Sequence, residues 1–229
     1  MRPFIVAIDG PAGAGKSTVS KLLARRLGFA LVDTGAIYRS VALMARREGI
    51  ASDDDARLGE LLARIHIHFQ VVGEENRVFL DGQDVSSEIR APEISMSASQ
   101  VSSRPVVRAG LLALQRRLAL EAEKGAILEG RDIGTVVFPD ADAKFFLQAS
   151  PEVRARRRFE ELFQKGVEAT LKQVLADQMQ RDKDDSARAV APLKAAEDAI
   201  RVDSSALPLS EVVHEMEEEI QRRLAPRGA

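Results

Sequence analysis

The clearest candidates for chemistry in this sequence are nine consecutive residues near its start. They are Gly10, Pro11, Ala12, Gly13, Ala14, Gly15, Lys16, Ser17 and Thr18. The first eight match the pattern G-x-x-x-x-G-K-[ST], in which glycines let backbone N–H groups converge on phosphate oxygens. In such a loop Lys16 contacts the β- and γ-phosphates of a nucleotide, and the hydroxyl of Ser17 is placed to bind Mg²⁺. The run therefore predicts an ATP-binding loop.

A second candidate group, residues 33–39, directly follows a short apolar run. Open α/β sheets bind their ligands at the ends of such strands. The planar guanidinium of Arg39 is a candidate clamp for a phosphate, because it can bind two phosphate oxygens at once. A structural interpretation also fits this group, in which Thr34 caps the next helix and Asp33 ends the strand.

A third candidate group, residues 129–135, follows the apolar triplet at 126–128. Its charged members are Glu129, Arg131 and Asp132. Strand ends of α/β sheets usually need small or capping residues, so three charges here favour a functional site over a purely structural role. Glu129 and Asp33 are both candidates for the carboxylate that holds Mg²⁺ through water, and the sequence alone does not choose between them.

The segment at residues 151–190 is rich in charge and has a helical pattern that is interrupted at Lys165 and Gly166. Its arginines include Arg154, Arg156, Arg157, Arg158, Arg181 and Arg188. One interpretation is a solvated helix face with pairs of opposite charge. The other is a mobile lid that closes over phosphates, excludes water and supplies positive charge during phosphoryl transfer.

Around these groups, short apolar runs alternate with helical patterns. The runs that we predict as strands are residues 4–8, 29–32, 126–128, 144–147 and 199–202. Continuous apolar runs of this length are typical of strands buried on both faces of a parallel sheet. Apolar residues at helical spacing occur at residues 17–27, 36–47, 105–124 and 209–224. We therefore predict an α/β fold with a five-stranded parallel sheet flanked by helices.

Between residues 64 and 90 the pattern changes to that of antiparallel strands. The apolar residues of the first such strand alternate with polar ones and are Ile65, Ile67, Phe69 and Val71. This alternation is typical of a strand with one solvated face. A turn is predicted at residues 73–76, and Asp81 with Gly82 is a hairpin signal. We predict a small antiparallel sheet inserted into the α/β core.

The composition excludes several classes of function. The chain has 229 residues and no cysteine, which excludes disulfides, cysteine-based zinc sites and thiol catalysis. Its net charge of -2 argues against binding of a nucleic-acid polymer. No apolar run approaches the roughly 20 residues of a membrane span, and the run at residues 4–8 is too short for a signal peptide. We expect a cytoplasmic protein without a membrane partner.

Together these motifs resemble those of the bacterial cytidylate kinases, in the nucleoside monophosphate (NMP) kinase superfamily. The resemblance spans nearly the whole chain and is carried by residues 8–17, 33–39, 99–101, 130–140 and 181–193. The third and fourth of these segments are particularly specific to that family. The resemblance implies an α/β fold with a P-loop NTPase core, an inserted NMP-binding domain that carries the small antiparallel sheet, and a helical lid.

The same resemblance implies domain boundaries and site residues. The core would comprise residues 1–36, 104–150 and 189–229, the insertion about 37–103 and the lid about 151–188. The residues that would bind CMP are Thr34, Tyr38, Arg39, Ser99, Arg108, Arg131, Asp132, Asp185 and Arg188. The residues that would act in catalysis are Lys16, Arg131, Asp132, Arg157 and Arg181.

Within this set the resemblance implies distinct roles. The CMP phosphate would be held by Thr34, Arg39 and Arg131, with Arg181 nearby. The cytosine edge would contact Ser99, Arg108 and Asp132, with the Asp132 carboxylate accepting from the exocyclic amine. The ribose and its surroundings would contact Asp185 and Arg188. The basic lid of the family is matched by Arg154, Arg157 and Arg158.

The implied reaction is direct transfer of the γ-phosphoryl group from ATP, with Mg²⁺, to CMP or dCMP. The products would be CDP or dCDP and ADP. Because the acceptor phosphate is already an anion at neutral pH, positioning and charge neutralisation suffice without a strong base or a covalent intermediate. We expect the enzyme to act as a monomer.

Other functions fit the residues less well. Shikimate and adenylate kinases share the phosphate loop, but they lack the block at residues 130–132 and the inserted sheet. A non-catalytic P-loop module would be expected to have lost Lys16 or the acceptor arginines, and the chain retains both. A GTPase would carry an Asn-Lys-x-Asp or Thr-Lys-x-Asp motif, which the sequence lacks. An RNA-binding protein would need a basic stripe interspersed with aromatic residues, whereas only 4% of these residues are aromatic.

Overall fold

A computed structural model describes residues 2–73 and 75–225 of the chain. Its strands are β1 (Phe4–Asp9), β2 (Ala30–Asp33), β3 (Ile67–Val72), β4 (Glu75–Leu80), β5 (Gln83–Asp84), β6 (Gly125–Gly130), β7 (Ala143–Gln148) and β8 (Ile200–Asp203). Its α-helices are α1 (Lys16–Leu27), α2 (Thr34–Arg47), α3 (Asp55–Arg64), α4 (Pro92–Val101), α5 (Pro105–Leu120), α6 (Pro151–Gln164), α7 (Leu171–Ala187) and α8 (Leu209–Leu224).

The residues form two compact units. The first unit comprises Met1–Ala30 and Ala122–Ala229, and the second comprises Leu31–Glu121. The predicted domain boundaries, with an insertion at about 37–103, differ from these units in residues 31–36, which hold β2 and the start of α2, and in residues 104–121, which hold α5. Those boundaries describe functional domains and stay a prediction.

A five-stranded sheet has the strand order β2-β6-β1-β7-β8, with β1 at its centre. β1 pairs in parallel with β6 and with β7, and β7 pairs in parallel with β8. All residues of β1 are buried, as are all but the last of β6, as expected for central strands covered on both faces. The predicted α/β core with five parallel strands is confirmed.

The carboxyl ends of these parallel strands lie at one edge of the sheet. The residues at the ends in the first unit are Asp9 of β1, Gly130 of β6, Gln148 of β7 and Asp203 of β8. Val19 and Leu23 of α1 are buried, and α1 packs against β6 and α8. The apolar stripe of α1 therefore faces the sheet and fixes the start of the helix at this edge, where α/β folds bind ligands.

The second unit contains a three-stranded antiparallel sheet in the order β3-β4-β5. Ile67 of β3 is buried, whereas Val71 is 73% exposed, so the end of this strand is solvated. Between β4 and β5, Asp81 and Gly82 have φ angles of 47° and 81°, the left-handed conformations that a tight hairpin turn requires. The predicted inserted sheet is confirmed, with β3 starting at Ile67 rather than Ile65.

Two helices of the second unit, α3 and α4, are absent from the sequence-based prediction. Both have ten residues, too few to show a long helical period. The residues that begin each helix can nevertheless be read from the nearby sequence. The carboxylate of Asp54 accepts the N–H of Arg57 and caps α3, and Pro92 occupies the first turn of α4. Capping residues alone could therefore have indicated both helices.

Residues 151–187 form a helical hairpin in which α6 and α7 pack against each other. The chain turns at Gly166, whose φ is 69°, and α7 begins with a capping box formed by Thr170 and Gln173. The predicted helical segment with a break at residues 165–166 is confirmed. No helix in the described ranges 2–73 and 75–225 is long and apolar enough to cross a membrane.

Candidate functional site

The phosphate loop, residues 10–17, joins β1 to α1 in the first unit. Gly10, Gly13 and Gly15 have φ angles of 148°, 76° and 92°, a region that favours glycine. A Cβ at Gly10 would lie 1.9 Å from the carbonyl oxygen of Leu147, so any side chain there would collide with β7. No side chain caps the start of α1 at Lys16. The first N–H groups of this helix therefore point to a place where a phosphate can accept from them.

Lys16 is buried within the loop, and its Nζ donates a hydrogen bond to the carbonyl oxygen of Pro11 at 2.7 Å. Burial, together with the positive charge of Arg131, lowers the pKa of Lys16 to about 7, although the carboxylates of Glu129 and Asp9 oppose this. The charged amine is thus disfavoured until an anion approaches it. A phosphate beside Nζ would restore the charge, as the role of this lysine in phosphoryl transfer requires.

Ser17 and Glu129 form a pair of oxygen donors beside the loop. The hydroxyl of Ser17 donates to Oε2 of Glu129 at 2.9 Å, and Glu129 is buried near the end of β6. Hydroxyl and carboxylate oxygens suit Mg²⁺, which usually keeps several waters. In the second unit, the other candidate, Asp33, accepts the N–H of Ala36 and pairs with Arg39 at 3.1 Å. Asp33, rather than Thr34, therefore caps α2, and the Ser17–Glu129 pair is the better fit to the metal.

Arginines surround the buried carboxylate of Asp185, which lies on α7, and one of them, Arg131, directly follows β6. Nε of Arg131 donates to Oδ2 of Asp185 at 2.9 Å, and Arg188 pairs with Oδ1 of Asp185 at 2.5 Å. Burial alone would raise the pKa of Asp185, but the positive charges of Arg131, Arg188 and Arg181 lower it below its ordinary value. Four of the predicted site residues thus form one electrostatic cluster in the first unit.

Asp132 is buried directly before a π-helical turn at Ile133–Val137. Such turns are rare and frequently occur at functional sites. The turn is held by Asp9, whose carboxylate accepts the N–H groups of Ile133 and Gly134.

Arg154, at the start of the helical hairpin, is a buried link between the hairpin and the phosphate loop. Its Nη1 donates to the carbonyl oxygen of Ala12 at 3.0 Å, and its Nη2 pairs with Asp182 of α7 at 2.7 Å. Its Nε donates to the carbonyl oxygen of Ala149. The match of Arg154 to a basic lid stays a prediction, and in this structure its guanidinium is held on the backbone of Ala12 and Ala149.

The next two matched arginines have different surroundings. Arg157 donates to the hydroxyl of Ser204 at 3.1 Å and to its carbonyl oxygen at 2.6 Å. The same hydroxyl donates to the carbonyl oxygen of Ala14 at 3.1 Å, so Arg157 is tied to the phosphate loop through Ser204. Arg158 instead forms an ion pair with Glu161 on the solvated side of α6.

The second unit carries the remaining predicted residues on α2, α4 and α5. The guanidinium of Arg108 lies 5.4 Å from the ring centroid of Tyr38 and donates to the carbonyl oxygen of Ser102. Ser99 is half-buried in α4. These contacts hold Arg108 in one orientation, with a cation–π interaction on one side.

Thr34 and Arg39 lie on the first turns of α2. Thr34 is buried at the first position of the helix. Nε of Arg39 is buried and has no hydrogen-bond partner. A buried donor without a partner is costly, and a phosphate oxygen is an acceptor that would satisfy it.

The structure therefore places the predicted residues in two groups. The group in the first unit comprises Lys16, Ser17, Glu129, Arg131, Asp132, Arg157, Arg181, Asp185 and Arg188. The group in the second unit comprises Asp33, Thr34, Tyr38, Arg39, Ser99 and Arg108. Two residues at the site, Asp9 and Ser204, are not among those predicted from the sequence. A carboxylate that ends an apolar strand was a signal for Asp9, whereas nothing in the local sequence singled out Ser204.

Comparison with known proteins gives one consistent family. A family model described as Cytidylate kinase matches residues 6–222. A cytidylate kinase of Geobacter sp. (strain M21) is 56% identical over 221 residues, which cover 96% of this chain and 94% of that protein. A cytidylate kinase of Caldicellulosiruptor bescii is 48% identical over 216 residues, which cover 94% of this chain and 95% of that protein. A solved gluconokinase of Sinorhizobium meliloti, 18% identical, gives a TM-score of 0.49 over 96% of this chain and 93% of its own, a likeness too distant to add to the assignment.

Proposed function

The chain belongs to the cytidylate kinase family, and on that premise we propose how its residues transfer the γ-phosphoryl group of ATP to CMP or dCMP. The products are ADP with CDP or dCDP. The observation that best supports the proposed residues is the glycine loop that leads into the uncapped start of α1, with the buried Lys16 at that start. A phosphate loop and an arginine cluster within electrostatic reach of each other are what phosphoryl transfer needs.

On the donor side, the proposed binding site for ATP is the loop from Gly10 to Thr18. Its N–H groups and the start of α1 would hold phosphate oxygens, and Lys16 would contact the β- and γ-phosphates. Ser17, and Glu129 through water, would hold Mg²⁺, which neutralises phosphate charge when it is bound. Arg157 and Arg181 are proposed to add positive charge as the γ-phosphoryl group moves.

On the acceptor side, we propose that guanidinium groups hold the phosphate of CMP and that a carboxylate selects the base. Arg39, with its partnerless Nε, and Arg131 supply the guanidinium groups, and Thr34 supplies a hydroxyl. Asp132 accepts from the exocyclic amine of cytosine, which uracil lacks. The remaining proposed contacts to CMP are Tyr38, Ser99, Arg108, Asp185 and Arg188.

The acceptor needs no strong base, because its phosphate is an anion at neutral pH. What the residues contribute is alignment of the two phosphates, exclusion of water and neutralisation of charge. The helical hairpin is proposed to be the lid that excludes water. We also propose that the enzyme works as a monomer in the cytoplasm, which size-exclusion chromatography and cell fractionation would check.

A coupled assay of ADP release tests the function. The acceptors are CMP, dCMP, UMP, AMP and shikimate, each with ATP and Mg²⁺. We expect turnover with CMP and dCMP, weaker turnover with UMP, and none with shikimate. Preference for AMP or shikimate would contradict the assignment. Omission of Mg²⁺ in the presence of a chelator should abolish turnover, since the charge of the phosphates is then not neutralised.

A further inference from the structure

Asp9 has a position that the proposed mechanism leaves unused. It is the last residue of β1 and directly precedes the phosphate loop. The rest of that strand is apolar, and Asp9 is only 3% exposed. A carboxylate in the centre of a sheet costs free energy unless specific partners compensate for it. Its presence therefore calls for a reason beyond filling space.

Both oxygens of this carboxylate are used by one turn. Oδ1 accepts the N–H of Ile133 and Oδ2 accepts the N–H of Gly134, each at 2.8 Å. These are the first two residues of the π-helical turn that follows Asp132. A Cβ at Gly134 would lie 3.4 Å from Oδ2 of Asp9 and 3.2 Å from Cδ of Lys144, so the turn is packed closely against the carboxylate.

Only an ionised carboxylate satisfies both donors. An asparagine would accept one N–H and would oppose the other with its own N–H₂ group. The ionised state is costly here, because burial raises the pKa of Asp9 to about 6. The negative charge of Asp132 adds to the rise, while the two N–H groups and Lys16 oppose it. At neutral pH the side chain is thus charged despite its burial, and it is compensated by the two N–H groups that it accepts.

We propose that Asp9 is a positioning residue for phosphoryl transfer, holding the turn that follows Asp132 against the strand that leads into the phosphate loop. This rests on the roles proposed above for Asp132 and Arg131 towards CMP. The same carboxylate ties the start of the phosphate loop to the turn beside Arg131 and Asp132, all within the first unit. Misplacement of a reacting group by about 1 Å can cost on the order of 10²-fold in rate.

The variant Asp9→Asn tests this role, because it keeps the volume and removes one acceptor. We expect kcat/KM for CMP to fall about 10- to 100-fold, while the Kd for ATP changes less than about threefold. An unchanged kcat/KM for CMP would overturn the proposal. So would an equal loss of ATP affinity, because it would indicate general damage to the loop. If the wild-type enzyme itself failed to phosphorylate CMP, the proposed function would fail instead.

A matched control lies near the other end of the same strand. Oδ2 of Asp142 accepts the N–H of Ile5 at 2.7 Å, so Asp142 also holds β1 through its carboxylate, but far along the strand from the loop. Asp142→Asn should leave kcat/KM for CMP within about twofold, even where its stability falls. An equal loss of CMP activity in both variants would show that any damage to β1 suffices, and would overturn the specific role of Asp9.

A double-mutant cycle separates positioning from folding. If Asp9 acts through the turn at Asp132, then Asp9→Asn should cost less in an Asp132→Asn background than in the wild type. If the two reductions in kcat/KM for CMP simply multiply in the double variant, the residues act independently and the proposal is contradicted. Should Asp9→Asn not fold, Asp9→Glu decides the question, because it keeps the charge but moves the carboxylate by one methylene. Wild-type kinetics with CMP in a folded Asp9→Glu enzyme would overturn the role.

Discussion

The strand ends and the helical hairpin of the first unit are both rich in charge, but they hold their charges in opposite ways. At the strand ends, Glu129, Asp132 and Asp9 are buried. On the hairpin, most charged side chains are exposed, and pairs such as Arg158 with Glu161 are local. Burial fixes a charge in place and strengthens its interactions, whereas exposure leaves it mobile and screened. The charges that we propose to align two phosphates are of the first kind, and most of those on the proposed lid are of the second.

The change from buried, fixed charges to exposed, mobile charges occurs inside α6 rather than at its start. Arg154 and Arg157 belong to the hairpin by sequence, yet both are tied to the phosphate loop by hydrogen bonds, the first directly and the second through Ser204. The first turns of α6 thus form a fixed base for the hairpin. Movement of a lid would begin after these residues.

The largest effect should come from the fixed region. Lys16→Ala should lower kcat by on the order of 10³-fold or more, because the charge opposite the β- and γ-phosphates is lost. The fold should remain, since Lys16 contributes charge rather than packing. Steady-state kinetics with CMP and a thermal melt would check both parts. Near-native turnover in the folded variant would contradict the proposed mechanism.

The second prediction compares two arginines of one helix. Arg154→Ala breaks a buried ion pair and should destabilise the fold by roughly 3 kcal/mol, because Asp182 loses its partner. Arg158→Ala removes a surface pair and should cost less than about 1 kcal/mol. Urea unfolding of both variants measures the difference. If both variants lose the same free energy of unfolding, Arg154 belongs with the exposed, mobile charges of the hairpin.

The third prediction concerns the choice of base. Asp132→Asn should lower kcat/KM for CMP and narrow the ratio between CMP and UMP, because an amide can donate to the uracil carbonyl. A site built around one hydrogen bond can discriminate by up to about 10⁴-fold, and solvation reduces that value. Kinetics with both nucleotides, beside a melting curve, test it. A less stable variant with an unaltered ratio would assign Asp132 a structural role only.

The smallest effect is expected in the exposed region. Amide hydrogen exchange in residues 158–177 should slow about tenfold when CMP and a non-hydrolysable ATP analogue bind together, since closure would protect a segment with few buried contacts. Exchange in β1 serves as the internal control and should change little. Unchanged protection of the hairpin would remove its assignment as a lid.

The sequence predicted the parallel core because its strands are continuous apolar runs, and it predicted the phosphate loop because each residue type has a fixed chemical purpose there. It could not separate Arg154 from Arg158, since the two have the same side chain and differ only in the helix face that is buried. The role of Asp9 depends on N–H groups 124 and 125 residues away. Contacts at that separation follow from the folded topology, and no local pattern encodes them.

The position of Tyr38 has a practical consequence for spectroscopy. The chain has one tyrosine and no tryptophan, so its near-ultraviolet emission comes almost entirely from this ring. The ring lies beside the guanidinium of Arg108, at 5.4 Å from its centroid. An unlabelled sample therefore contains one dominant native fluorophore, at a residue proposed to bind CMP. Titration with the nucleotide can then be followed optically, without an engineered dye.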